Sequence, residues 1–277
     1  TRSRASGEDG DVTLNVSLDY NGIGTKELAL RAHDDLVLNG SIDDSNQSGD
    51  VLNVRLVSNN GAESGSTGLL DINAPINTHG GTFTANSKTF NNTGGAITTG
   101  AAVSITSTSS MTVGGDVNGT TVNLTSGGDL WLNSAVTGSS SVTTSSSGAT
   151  TISVAMSGPS ISITSSGLTT VSAAMAGTDI TVNTNGLTTT EAISATGTLA
   201  LTNSGEWSLG APLNAGTLNL GSATIDLEGE LNVSNSMGTN GTINILSGGV
   251  VAVSTLEAET PQLNVDGGML SLSSTDP

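Results

Sequence analysis

Residues 148–204 read GATTISVAMSGPSISITSS, GLTTVSAAMAGTDITVNTN and GLTTTEAISATGTLALTNS, three consecutive copies of nineteen residues. Each copy opens on a glycine (Gly148, Gly167, Gly186), and Gly205 opens a fourth. Near the end of each copy stands an apolar-x-apolar pair: Ile161 and Ile163, Ile180 and Val182, Leu199 and Leu201, then Leu218 and Leu220. A fixed period near twenty is the mark of a solenoid. Alternation of apolar and small polar residues within a copy is the period-two signal of a short strand with one buried face.

The same columns extend outward. Backwards, the pair becomes Val142 and Thr144, Val122 and Leu124, Val103 and Ile105, then Phe83 and Ala85. A second column runs Val113, Leu132, Ile152, Val171, Thr190 and Leu209, and a third runs Val117, Val136, Met156, Met175, Ile193 and Leu213. Three apolar columns per period, separated by Gly, Ser, Thr and Asn, describe three short strands and three corners in each coil. Stacked coils give an all-β fold, a right-handed parallel β-helix of about 19 residues per coil and roughly twelve coils, its hand taken from the general preference of parallel crossovers. An antiparallel sandwich would instead show turn chemistry at hairpin spacing and no like-on-like columns. The Ser166-Gly167, Asn185-Gly186 and Ser204-Gly205 steps suit corners that need positive φ.

Residues 1–11 read as a polar, frayed lead-in and residues 12–277 as one continuous β-helix. Strands are expected near Val12–Leu18, Leu28–Leu30 and Leu36–Leu38, with Ile23 and Ile42 in the single-residue column. Polar excursions are expected near 43–50 and 59–68. The step from Leu218 to Ile243 is longer than its neighbours, which places an insertion between 220 and 243. The chain starts without Met and shows no signal peptide, so it reads as a piece of something longer.

Composition narrows the function classes. Aromatic residues make up 2% of the chain and formal net charge is −18, with 24 acidic against 6 basic residues. Phosphate recognition needs Lys and Arg clusters, so the balance argues against nucleic acid and against anionic membrane surfaces. There is no cysteine, and no apolar run approaches the length that spans a bilayer. Stability must come from the stack rather than from disulfides.

The run LLDINAPINTHGGTFTAN at residues 69–86, with ELALRAHDDLVLNGSI at 27–42 and the nineteen-residue coils, resembles the solenoid of filamentous haemagglutinin-like exoproteins. These are the large passengers of bacterial two-partner secretion. The resemblance implies a secreted or cell-surface β-helical shaft that works in adhesion after export through an outer-membrane secretion partner. It also implies a host or environmental surface ligand, a glycan among the candidates. The Asn-Pro-Asn type motifs of that family's secretion domain do not occur here, which leaves an autotransporter passenger open, and no binding residue carries over.

Candidate chemistry is sparse. His33 and His79 lie turns apart with no serine-triad context and read as corner residues. The pairs Asp34-Asp35 and Asp43-Asp44 are the weak candidates for a catalytic or metal site, because carboxylates from adjacent coils serve acid–base work and Ca²⁺ binding on β-helices. Solvated corner charges are the plainer reading, since the cations and aromatics that would hold a sugar are scattered. Accordingly no catalytic, cofactor or metal residue is assigned. An ice-binding face would need a regular Thr-x-Thr column, whereas the outward residues run Asn123, Thr143, Ser162, Thr181, Ala200 and Asn219. The expectation is a non-enzymatic shaft; the alternatives are a polysaccharide-active lyase or hydrolase and a filament subunit associating end to end through open coil edges.

Overall fold

The computed structural model describes residues 10–22, 24–44, 50–59, 67–203, 205–211 and 213–221, and beyond these the strands Thr224–Leu227, Leu231–Val233, Thr242–Ile245, Val250–Val253, Gln262–Val265 and Met269–Leu272. Most of the lead-in, most of both excursions, Ile23 and most of the insertion after Leu220 lie outside the described residues. All the described elements are strands and their ladders are parallel: a β-solenoid of about ten turns. The chain divides into two compact units, residues 1–137 and 138–277.

In the first unit each turn has three faces. The first face stacks Val12–Leu14, Leu36–Leu38, Leu69–Ile72, Thr89–Asn91, Met111–Val113 and Leu130–Leu132. On the second face Leu18, Ile42, Ile76, Ile97 and Val117 lie in one column. The third stacks Thr25–Arg31, Val51–Val57, Phe83–Ser87, Val103–Ser107 and the end of Val117–Ser126. Strand pleating turns alternate residues inward, so Val103 and Ile105 sit on Val122 and Leu124, and all four are buried. Phe83 and Phe90 are the largest fully buried side chains of this interior.

The second unit repeats the plan with longer strands that run through corners. Met156–Val171 lies on Met175–Thr189, which places Met156 on Met175, Ile161 on Ile180 and Ile163 on Val182. The columns continue through Leu199 and Leu201 to Leu218 and Leu220. Leu218 then pairs with Ile243 and Leu220 with Ile245, so the longer step expected there keeps the ladder and is absorbed outside the strand. Ile243 and Ile245 pair in turn with Leu263 and Val265.

Four expectations need correction. Val12–Leu18 is two strands, Val12–Leu14 and Leu18–Asp19, with Val16 64% exposed at the corner between them. Val16 continues the period-two alternation, but the corner turns the chain onto the next face without interrupting the letter pattern. Leu18, rather than Ile23, therefore supplies the second-face residue over Ile42. The column member after Val171 is Thr189, not Thr190. A register shift between Ser165 and Leu168 shortens the third copy by one position, so Leu187 is buried over Thr169 while Leu168, its sequence equivalent, is 48% exposed.

The fourth concerns the repeat glycines. Among the described residues positive φ occurs at Gly10, Gly24 and Gly68, and at Asn59 and His79, not at Gly167 or Gly205. Those two serve proximity instead. A Cβ on Gly167 would lie 2.9 Å from the backbone of Gly148 and Ala149, and one on Gly205 would lie 2.1 Å from the Asn185 carbonyl oxygen. Turns stack at the spacing of strands in a sheet, about 4.8 Å, which leaves no room for a methyl group pointing along the stack.

The corners carry a polar lattice that the aliphatic columns did not announce. Ser107, Ser126, Ser146, Ser165 and Thr184 point inward where the third face meets the first, and all are buried. Their hydroxyls serve corner carbonyls: Ser126 donates to Asp129 O at 2.9 Å, Ser165 to Gly148 O at 2.8 Å and Thr184 to Gly167 O at 2.8 Å. The backbone must leave its ladder to turn, and these hydroxyls satisfy the groups set free. Replacing Thr184 by Val keeps the shape and removes the donor. Denaturant unfolding should show a loss of about 1–3 kcal/mol with an unchanged m-value, the cost of an unsatisfied buried carbonyl; no loss would mean that the lattice contributes nothing.

Candidate functional site

The sequence pairs Asp34-Asp35 and Asp43-Asp44 occupy different corners. Asp34 and Asp35 follow the third-face strand that ends at Arg31, whereas Asp43 closes a second-face strand and Asp44 follows it. The structure brings Asp34 and Asp35 together with Asp11 from the preceding turn, each offering a carboxylate oxygen within 4.8 Å of the others.

These carboxylates already have work. Asp11 accepts the Asp35 backbone N–H at 3.1 Å. One turn on, Asp34 accepts the Gly68 N–H and Asp35 the Leu69 N–H, each at 2.7 Å, and the Thr67 hydroxyl donates to Asp35 at 2.7 Å. The same device recurs elsewhere: Asp116 accepts from Ala135 N at 3.1 Å and Ser134 Oγ at 2.6 Å, and Asp179 accepts from Thr198 N at 2.9 Å. A corner carboxylate thus holds a backbone donor of the next turn. At Asp11, Asp34, Asp35, Asp116 and Asp179 the acidic side chain thereby joins one turn to the next.

Asparagine plays a related part on the outer surface. Asn39 Nδ2 donates to Asn15 Oδ1 at 2.9 Å, and Asn73 Nδ2 to Asn39 Oδ1 at 3.1 Å. The sequence signal for this ladder was an apolar-x-apolar-Asn step, present at Leu14-Asn15, Leu38-Asn39 and Ile72-Asn73. It is visible only once the corner after the first face is located.

The Asp43-Asp44 step behaves differently, because adjacent residues point to opposite sides. Asp43 is half-buried, and its carbonyl oxygen accepts the Tyr20 N–H at 2.8 Å. Asp44 turns inward and is completely buried, accepting the Leu52 N–H on Oδ2 at 3.1 Å. Asp50, where the chain rejoins the third face, is also buried. Tyr20 stands beside both, its hydroxyl donating to Gly24 O at 3.0 Å. Desolvation, then the charges of Asp50 and Asp44, push the Tyr20 phenol above its ordinary value of 10.0. An open cavity of about 250 Å³ lies beside Tyr20, with Asp19, Lys26 and Glu27 as well as Leu18, Leu28, Ile42 and Leu52 in its lining.

The two histidines stay apart. His33 follows the first of the long third-face strands and packs on Gly10, and its N–H donates to Gly10 O at 3.0 Å. His79 occupies a corner with φ of 48°, and its N–H donates to Asn77 Oδ1 at 3.2 Å. Among the described residues, Asp11, Asp34 and Asp35 form the one group of three or more metal-ligating side chains, and no helix is long and apolar enough to cross a membrane. No protein-family model, curated protein or solved structure matches the chain.

Proposed function

We propose that this chain is a shaft segment of a large secreted or cell-surface adhesin-like protein, non-enzymatic, which extends and presents binding regions. The observation that carries the reading is the constant register. Within each unit, turn lies on turn with like residues in line, Ile161–Ile180–Leu199–Leu218 being one such column, and corner side chains are committed to the next turn. Such a stack repeats turn on turn through nearest-neighbour contacts, which suits a spacer. The polar stretches near 43–50 and 59–68, expected from the sequence to be excursions, are where binding surface would be added, since connections that depart from a scaffold carry variation at least cost. The resemblance to filamentous haemagglutinin-like exoproteins at residues 69–86 supplies the setting: export through an outer-membrane partner, and a surface ligand outside the cell.

The test is a glycan and polysaccharide array probed with the purified chain, reading retention and release of reducing ends together. Retention without release is the expected result. Release that disappears in Asp34→Asn, Asp35→Asn, Asp43→Asn and Asp44→Asn variants would replace the shaft with a polysaccharide-active enzyme. Silence in both, together with concentration-dependent fibres in light scattering, would favour a filament subunit.

A further inference from the structure

The outward side of the first face carries a row of polar residues that ends on an aromatic one. Asn91 lies on Asp71, Thr112 on Asn91 and Trp131 on Thr112, so four successive turns put these residues in one column. Their neighbours along the strands, among them Ile72, Phe90, Val113, Leu130 and Leu132, are buried. Pleating therefore turns the four outward. Trp131 is the exception to how the chain uses its few aromatics. They make up 2% of the sequence, and Phe83 and Phe90 serve the interior. The Trp131 side chain instead lies half-buried on the outer surface, where it adds nothing to the aliphatic core.

The polar members of the row are held in place. Asp71 accepts from both sides, from Asn91 Nδ2 on Oδ1 at 2.8 Å and from Asn73 Nδ2 on Oδ2 at 2.9 Å. Asn91 Oδ1 accepts in turn from the Thr93 N–H at 3.1 Å and from the Thr93 hydroxyl at 2.6 Å. Asn91 is thus fixed through both ends of its amide. Its Nδ2 keeps a second hydrogen, and each Asp71 oxygen keeps a second lone pair. Side chains already ordered in the free protein lose little freedom when a ligand uses them.

A flat aromatic ring in line with fixed amide and carboxylate groups matches the chemistry of a sugar. A pyranose offers an apolar C–H face to an indole and a rim of hydroxyls that both donate and accept. Successive rungs lie about 4.8 Å apart, so a chain of sugars laid along the stack meets Trp131, Thr112 and Asn91 in order. We infer that this row binds an uncharged glycan, with Trp131 as the platform and Asn91 and Asp71 as the hydrogen-bonding groups. Charge decides against an acidic glycan: the row holds a carboxylate and no cation, and the whole chain carries −18. Tryptophan is among the residues that most often carry the binding energy of an interface. The inference rests on the adhesive reading and deepens it, placing a binding surface on the shaft itself.

The test titrates the full chain with neutral oligosaccharides of glucose, mannose and galactose, and with hyaluronate as the acidic comparison, by calorimetry and by tryptophan emission. At least one neutral series is expected to bind and to change the emission. Trp131→Ala is expected to weaken that binding at least about tenfold, and Asn91→Ala to weaken it less. Trp131→Phe, which keeps a ring, is expected to hold an intermediate affinity. Asn123→Ala, exposed on the third face, binds as the parent does. Asn91→Ala and the parent's emission read the site even if Trp131→Ala fails to fold. Equal binding by the parent and Trp131→Ala, or binding of hyaluronate alone, would overturn the site and leave the adhesive reading standing. Failure to bind any of these sugars would also overturn it, and silence across the whole glycan array would remove the adhesive reading as well.

Discussion

Ile180→Asp is expected to abolish the cooperative unfolding transition of the unit that contains it. Ile180 is fully buried between Ile161 and Leu199 of the neighbouring turns, so the new carboxylate would be flanked by apolar side chains above and below. Burying an unpaired charge costs several kcal/mol, a large share of the 5–15 kcal/mol that separates folded from unfolded domains. A stack of turns holds together through nearest-neighbour contacts, so a broken rung in mid-column uncouples both sides. Far-UV circular dichroism during a thermal melt should show loss of sheet signal well beyond one turn. Ile180→Val, which keeps the column apolar, should cost only about 0.5–1.5 kcal/mol. If Ile180→Asp melts like the parent with a purely local change in amide exchange, the continuous core is wrong.

The second large effect separates two adjacent glycines. A Cβ on Gly81 would stand 1.8 Å from the Leu52 carbonyl oxygen of the turn below, a backbone atom in the ladder and unable to swing aside. A Cβ on Gly80 would meet only Val51 Cγ2, at 3.7 Å, an ordinary contact. Gly80 also lies outside the positive-φ set, so alanine there is not strained. Gly81→Ala should therefore destabilise by about 3 kcal/mol, the upper range for overpacking, or prevent folding. Gly80→Ala should be neutral or stabilising by up to about 1 kcal/mol through lost freedom of the unfolded chain. Chemical denaturation of the pair decides the matter: equal effects would mean that turn-on-turn proximity does not govern these glycines.

The same two positions show how far the sequence could be read. Gly80 and Gly81 are indistinguishable as letters, and so are Leu168 and Leu187, each following the opening glycine of its copy. What separates them is one residue of register at a corner, which moves Leu187 onto Thr169 and leaves Leu168 facing outward. Likewise Asp43 and Asp44 formed one acidic pair in the sequence, but strand pleating sends them to opposite sides, and the buried carboxylate of Asp44 accepts the Leu52 N–H. Burial that depends on where a chain turns cannot be recovered from alternation alone, because alternation continues unbroken through Val16.

The sequence by itself determined the class of fold, the length of a turn and the identity of the aliphatic columns. A period of nineteen or twenty with paired aliphatics has only one inexpensive solution, like on like in stacked parallel strands, and each pair from Phe83 and Ala85 to Leu263 and Val265 that has a recorded partner lies where that solution puts it. Tertiary structure alone decided the corners: which glycines are pressed against the turn below, and which hydroxyls and carboxylates close the backbone's open hydrogen bonds. Corner chemistry between turns depends on distances between residues seventeen to thirty-four positions apart, as with Thr184 and Gly167 or Asp35 and Leu69, and those distances exist only when the turns are stacked.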